Sequence, residues 1–415
     1  MKTSEIIPVL KDRRILLGVT GSIAAYKAVE LASMLTQAGA QVDVILSTAA
    51  RQFVTPLTFQ SVTGRRAYGE ADLWGDEAHV LHVGLGEAAD LFVIAPATAN
   101  TIAKLAAGQA DSLLTLTALA VRCPLLVAPA MDAGMYEHAA TRENVERLGQ
   151  RGVLFAGPAE GRMASGLTGK GRLVEPEQLV GYVRVVLGRD GPLAGRKVVV
   201  TAGGTQEELD PVRVLANRSS GKQGFALAQA AIDRGAAVTL ISGPVHLLTP
   251  VGADRVDVES AAEMHAAVKN AVGGADALLM AAAVADYRPR DPGSAKLKRS
   301  EGVPEMLLEK TEDILADIVQ ERNKSGDPTV IVGFAAESQD LLENARAKLE
   351  SKGVELIVAN DITAPDAGFD VDTNRVTLLD ASGAQELPLL SKAAVAEAVL
   401  ARVVEMLGMG QGEAQ

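Results

Sequence analysis

The residues able to do chemistry gather at the ends of apolar runs. Asp132 stands in "PAMDAGMY" (129–136), just past the run "CPLLVA". Pro129 should stop a strand there, and a carboxylate after it either caps the next helix, read as Met135 to Leu148, or faces a site at the strand end. "GVTGSIAAYK" (18–27) places Gly18, Thr20, Gly21 and Ser22 where a strand opens into a helix. Free N–H groups and hydroxyls there suit a phosphate. Ser47 and Thr48 in "LSTAARQF", and Thr98 and Asn100 in "APATAN", extend that lip. Each of them, taken singly, is also a good helix cap. His79 and His82 share a helical face, but no cysteine or third histidine stands near to complete a zinc set. A lone histidine working as acid or base near neutral pH fits better, beside the plain reading of a surface imidazole. "GRMASGLTGKGRLVEP" (161–176) has neither strand nor helix pattern and reads as a mobile flap or a plain surface loop.

The second half repeats the theme. "TAGGTQEELDPVRVLANRSSGKQG" (201–224) brings glycines, hydroxyls, Asn217 and Lys222 to the start of a helix, which makes an anion site. It is not a Walker loop. "MAAAVADYRP" (280–289) ends an apolar run at Asp286, and "KLKR" (Lys296 to Arg299) follows closely. A carboxylate near mobile cations suits a nucleoside triphosphate and its Mg²⁺. Phe334 closes another strand, and Lys348 and Lys352 lie four apart on one helical face, able to meet an anion jointly or simply to be solvated.

These residues need a scaffold. Strands are expected at 41–47, 90–98 and 123–131, then at 236–242, 276–284, 329–336 and 354–361. Helices are expected at 27–39, 221–235 and 338–353. Runs apolar on both faces imply parallel sheets covered on both sides. The fold class is therefore α/β, with two doubly wound, mainly parallel domains, 1–190 and 191–415, divided near "LGRDGPLAGRK". The 415 residues, 48% hydrophobic and 22% charged, suffice for two cores, and a net charge of -12 disfavours nucleic acid as partner. One cysteine, no membrane-length run and a polar N-terminus suggest a cytoplasmic protein. Neither half carries GxGxxG, which disfavours a nicotinamide enzyme.

"VTGSIAAYK", "HVGL", "APATAN", "PAMDAGMY" and "ASGLTGKGRLVEP", in this order over 10–185, resemble the flavin-containing cysteine decarboxylases, in particular the 4'-phosphopantothenoylcysteine decarboxylase family. The resemblance implies FMN held by Gly21, Ser22, Ile23, Ser47, Ala97 and Thr98, with His82 as the active-site base. It implies oxidation of the substrate thiol to a thioaldehyde, loss of CO₂ to an ene-thiolate, and return of hydride and proton. Two positions depart from the pattern: Asp132 stands for its Asn, and Ser165 for its flap Cys. A hydroxyl is a far weaker acid than a thiol, so Ser165 alone does not replace that group. Either a water or another acid then donates, or the reduction is slow; Asp132, if protonated by burial, would donate in place of the thiol.

"GGTQEELDPVR", "NRSSGKQG", "AAAVADY", "KLK", "GFAAE" and "VAND" resemble the phosphopantothenate–cysteine ligases over about 190–405. That likeness implies Asn217 holding an acyl-nucleotide and Lys296 in catalysis. Met280, Ala281, Ala282, Asp286, Asp313, Phe334, Lys348 and Lys352 would contact CTP, with Mg²⁺ on unassigned ligands. Phosphopantothenate, activated as acyl-CMP, would then take cysteine. Decarboxylase before ligase is the order of the fused bacterial enzymes of coenzyme A biosynthesis. The families imply a homo-oligomer of flavin-domain trimers and ligase-domain dimers, in total a dodecamer. The other reading is a ligase whose flavin domain is only an assembly scaffold.

Overall fold

The computed structural model describes residues 5–74, 80–297, 306–337, 341–361 and 371–408. His79, Lys298 and Arg299 lie outside them. The chain divides into two compact units, Met1–Leu187 and Gly188–Gln415.

In the first unit the strands are β1 (Arg14–Val19), β2 (Gln41–Leu46), β3 (Ala67–Tyr68), β4 (Leu91–Ala97), β5 (Leu125–Pro129) and β6 (Leu154–Phe155). They form one parallel sheet in the order β3-β2-β1-β4-β5-β6. Alternate residues of β1 feed opposite cores. Ile15, Leu17 and Val19 pack with the helices Ala25–Gln37 and Pro176–Gly188. Leu16 packs with Ile102, Leu113 and Leu148 from helices on the other face. This two-sided burial is why the strands read as continuous apolar runs rather than as alternation. Gly18 lies on the second face, where a Cβ would come within 3.1 Å of Leu114 and Phe92, so a helix can pack close over the strand.

Two local readings need correction. The single helix expected from Met135 to Leu148 is two, Ala133–Glu137 and Ala139–Gln150. His138 takes an extended backbone between them, and its Nδ1 accepts from Ala140 N–H at 3.2 Å. The segment read as lacking pattern is a β-hairpin, β7 (Ala159–Arg162) and β8 (Thr168–Arg172). Its glycines hid it, because glycine lowers strand propensity without forbidding pairing.

In the second unit β9 (Lys197–Ala202) is followed by a hairpin, β10 (Gln206–Asp210) and β11 (Arg213–Ala216). Then come β12 (Ala237–Ser242), β13 (Ala253–Asp257), β14 (Ala277–Met280), β15 (Tyr287–Pro289) and β16 (Leu308–Lys310). The last are β17 (Val330–Glu337), β18 (Leu356–Asp361), β19 (Thr373–Asn374), β20 (Val376–Asp380), β21 (Gly383–Glu386) and β22 (Leu390–Ser391). The main sheet runs β13-β12-β9-β14-β17-β18-β20-β21, parallel up to β18, with β20 and β21 antiparallel. β14 stops earlier than the run 276–284 suggests. Its continuation leaves the sheet because Ala283 N–H donates to Gly203 O at 2.8 Å, joining the loops after β14 and β9.

The β7–β8 hairpin is held against the turn after β5. Met131 N–H donates to Gly171 O at 2.9 Å, and a Cβ on Gly171 would lie 2.4 Å from Met131 O. Gly171→Ala should therefore lift the hairpin. The expected outcome is several-fold faster proteolysis within 159–172 with the rest of the chain intact; an unchanged digestion rate would contradict this packing.

Candidate active sites

In each main sheet the strand order reverses once, between β1 and β4 and between β9 and β14. Loops leaving the carboxyl ends of those pairs diverge and open a crevice, the usual ligand position in such sheets. Most candidate residues of both units sit there; His82 and Lys296 do not line the cavities.

In the first unit a cavity of about 490 Å³ is lined by Ser22, Ile23, Lys27, Met131, Asp132, Arg162, Ser165 and Arg172, among others. It brings together residues more than a hundred positions apart. Asp132 caps the short helix, its Oδ1 accepting from Gly134 N–H at 3.1 Å. Its Oδ2 accepts from the Ser165 hydroxyl at 2.6 Å. The two departures from the family pattern are thus hydrogen-bonded to each other. Asp132 is half-buried and Ser165 exposed, so the bond contributes about 1 kcal/mol. The hairpin's position then rests mainly on the Met131–Gly171 backbone contact.

Sequence reading missed Lys27. Its side chain is 7% exposed, and Nζ donates to Glu175 at 2.7 Å. That hydrogen bond, ahead of the nearby Arg172, holds the Glu175 carboxyl below the ordinary carboxylate range despite burial. Lys27 thereby ties the first-turn end of its helix to the chain leaving β8. The signal was available as the last letter of "GSIAAYK", but a lysine there reads as a solvated helix residue.

The remaining flavin candidates form the crevice rather than this cavity's wall. Gly21 presses on the loop after β2, where a Cβ would meet that of Ala49 at 2.4 Å. The Thr20 hydroxyl donates to Pro96 O at 2.6 Å and accepts from Thr98 N–H at 3.1 Å, joining the ends of β1 and β4. Thr98 Oγ1 accepts from Thr101 N–H and caps the helix Ala99–Ala107, and Ser47 Oγ accepts from Ala50 N–H just ahead of a 3-10 turn whose N-cap is Ala49. Both oxygens accept, and the hydroxyl hydrogen of Ser47 is left to donate. Ala97 is fully buried at the end of β4. His82 does not line the cavity. It stands in the first turn of the helix Leu81–Ala88, its Nδ1 buried without a hydrogen-bond partner among the described residues. Around it Val80, Val83, Leu119 and Trp74 are exposed, Trp74 by 88%.

The second unit has two adjoining cavities, of about 620 and 570 Å³, sharing Ala282, Asp286, Phe334 and Lys348. The larger holds Asn217, Ala281 and the N-terminus of the helix Lys222–Ile232. The smaller holds Met280, Asp313 and Lys352. Three threonines fix the loop between them: Thr201 and Thr205 hydroxyls accept from Ala282 and Ala285 N–H, and the Thr311 hydroxyl donates to Ala285 O. Asn217 Nδ2 donates to Val284 O at 2.8 Å. Lys352 is ion-paired with Asp313. Burial opposes the Asp313 charge, but the Lys352 hydrogen bond and the Ala316 N–H outweigh it and lower the carboxyl pKa. The expected Lys348–Lys352 pair is therefore divided, with Lys352 answering a carboxylate of the same cavity.

Lys296 is exposed and lines neither cavity. Its neighbour Leu297 is tethered: Leu297 N–H donates to Asp210 Oδ2 at 3.1 Å, and Arg213 donates to Leu297 O. Asp210 is 1% exposed. Burial raises its carboxyl pKa, yet N–H groups of Val212, Leu297 and Arg213 and the Arg213 charge bring it below the ordinary value. The hairpin β10–β11, missed from sequence, thus anchors the stretch that carries Lys296.

Among the described residues no group of three His, Cys, Asp or Glu side chains is placed to hold a metal, and no helix is long and apolar enough to cross a membrane.

Comparison with known proteins agrees with this two-part layout. The flavoprotein family profile matches residues 8–188, and that of the DNA/pantothenate metabolism flavoprotein C-terminal domain matches 193–407. The chain is 44% identical over 400 residues to the coenzyme A biosynthesis bifunctional protein CoaBC of Vibrio cholerae, with 96% of this chain and 99% of that one covered. It is 44% identical over 401 residues to the protein of the same name from Bacillus subtilis, covering 96% and 98%. A solved C-terminal domain of a CoaBC protein aligns at 38% identity over 52% of this chain and 98% of that one, with a TM-score of 0.45. The chain belongs to the family of coenzyme A biosynthesis bifunctional proteins.

Proposed function

We propose that this protein joins cysteine to 4'-phosphopantothenate in its second unit and decarboxylates the product to 4'-phosphopantetheine in its first. Membership of the bifunctional family over nearly the whole chain carries the reading. The cavities support it: those of the second unit gather every nominated residue but Lys296, and that of the first gathers Ser22, Ile23, Asp132 and Ser165.

In the second unit the nucleotide is CTP. Phe334, Met280 and Asp286 line its base and ribose end, and Lys348 and the Lys222 helix N-terminus offer charge and N–H groups to phosphates. Mg²⁺ enters on the triphosphate rather than on a carboxylate cage, the common arrangement for this ion. A carboxylate is a poor acyl donor until its oxygen becomes a leaving group, which is what conversion to acyl-CMP provides. Asn217 lies beside the activated acyl group, and Lys296 neutralises charge developing during transfer.

In the first unit the crevice fits FMN. Hydroxyls of Ser22, Ser47 and Thr98, the small buried Ala97 and the close approach at Gly21 leave backbone and hydroxyl donors facing a dry strand end, as a phosphorylated ring system requires. FMN when bound supplies a two-electron oxidation of the substrate thiol, which creates the electron sink that decarboxylation needs. Ile23 covers the ring, His82 is the base, and Asp132 with Ser165 positions the cysteine end. Both Asp132 oxygens accept here, from Gly134 N–H and the Ser165 hydroxyl, so the pair passes a proton on only after the carboxylate has taken one up from solvent.

His82 lies outside the lining of the Asp132 cavity, and Val80 and Val83 beside it in sequence are exposed. We infer a homo-oligomer in which His82 of one copy completes the cavity of another, within the trimers and ligase dimers that the family implies. The cytoplasm is the expected compartment.

The second reading, a ligase with an inert flavin scaffold, is favoured by the serine at 165. Purified protein given 4'-phosphopantothenoylcysteine should be yellow and should release CO₂ with phosphopantetheine; yellow protein without CO₂ would establish the scaffold instead. Asp132→Asn should slow reoxidation of the bound flavin in single turnovers by about tenfold, and Ser165→Ala by less. Equal, unchanged traces would remove both from proton transfer. Mixing His82→Asn chains with chains whose cavity is blocked by Asp132→Leu, each inactive alone, and letting subunits exchange should restore part of the decarboxylase activity, whereas two defects within one copy's own site would give none.

A further inference from the structure

We propose that the larger cavity of the second unit contains a subsite for the ammonium group of the amino-acid co-substrate, formed by the side-chain oxygens of Gln223, Asn360 and Asn374. The inference rests on the ligase reading and deepens it.

All three residues line this cavity, and each carries an amide oxygen that is out of water without a hydrogen-bond partner among the described residues. Asn374 is 4% exposed. The Gln223 amide is oriented by its own bond, Nε2 donating to Lys392 O at 3.1 Å, which commits Oε1 to the other side. Desolvated acceptors of this kind are uncommon in folded proteins and call for a donor. They come from separate elements: the first turn of the helix Lys222–Ile232, β18 and β19. Their placement in one cavity is therefore a property of the fold, not of a local turn.

The chemistry of the missing group follows from the set. A phosphate or carboxylate brings only acceptors and would be repelled by carbonyl oxygens. A divalent cation prefers carboxylates, and no metal-holding group of acidic or histidine side chains exists among the described residues. An ammonium has three N–H donors and no acceptor, and three neutral oxygens satisfy it. In the proposed reaction cysteine is the one co-substrate with an ammonium group to be held, and Asn217 in the same cavity marks the acyl group it must reach. None of these residues belongs to the nucleotide lobe that contains Asp313 and Lys352.

The reaction divides in a way that tests this. Pyrophosphate release from CTP and 4'-phosphopantothenate without cysteine reports the first half alone. Asn374→Ala and, separately, Gln223→Leu should raise the KM for cysteine by about tenfold, the loss of one hydrogen bond to a charged group. The pyrophosphate burst and the KM for CTP should stay within about twofold. Hydroxylamine, uncharged at the assay pH, should discharge the acyl-nucleotide of the variants as fast as that of the parent. An unchanged cysteine KM in a variant that keeps its burst overturns the proposal. So does a loss of burst or a higher CTP KM in both variants when both retain the parent's circular dichroism, since the oxygens would then serve the nucleotide or its Mg²⁺. Should one variant fail to fold, the other decides. A parent protein that releases no pyrophosphate would instead overturn the ligase reading itself.

Discussion

The reversal of strand order is the constraint on which both sites depend. At β1/β4 and at β9/β14 two neighbouring strands send their following loops in opposite directions, so no connection fills the space between. Backbone groups at those ends would be exposed and unsatisfied without help. The chain supplies short hydroxyl side chains at these points. Thr20 bridges β1 to β4, and Thr201 and Thr205 bridge the loop after β9 to the loop after β14. The same threonines that stabilise the loops hold the crevices open. Site formation and fold stability are therefore one requirement at these positions, and the similar openings "GVTGS" and "VTAGGT" reflect it.

The layered cores follow directly from composition. β4 is buried along its whole length and β1 in all but its first residue. A strand buried on both faces has no polar face to betray its period, yet its length and its glycine and proline boundaries still mark it. The parallel strands were legible for that reason. The antiparallel additions were not. β10, "QEELD", buries the carboxylates Glu207 and Asp210 rather than apolar side chains, and β11, "RVLA", is mostly exposed, so no apolar pattern announces them. The hairpin β7–β8 is hidden by glycines in the same way, and β20–β21 pairs an apolar strand with the fully exposed "GAQE". Those pairs are set by tertiary contacts and by turns such as the Asp210 turn, which a local reading does not weigh.

The sites divide similarly. Ser22, Ile23, Asp132 and Ser165 were identified from sequence and meet at one cavity, as do Asn217, Ala281 and Asp286. Lys27, Gln223, Asn360 and Asn374 were not, because each takes its meaning from a partner or a missing partner far away in the chain. Lys352 was read as an anion ligand from its spacing to Lys348, but Asp313 meets it first. Spacing on a helix fixes a face; it says nothing about which opposite charge the fold brings to that face.

Asp210 shows what such a distant partner accomplishes. A carboxylate withdrawn from water binds three N–H groups and an arginine, and through one of them it fixes the residue next to Lys296. Chain entropy on that side of the lysine is lost when the domain folds. Ligand arrival then has less disorder left to remove. On the proposed role of Lys296, a side chain that lines neither cavity thus sets part of how tightly substrates are held.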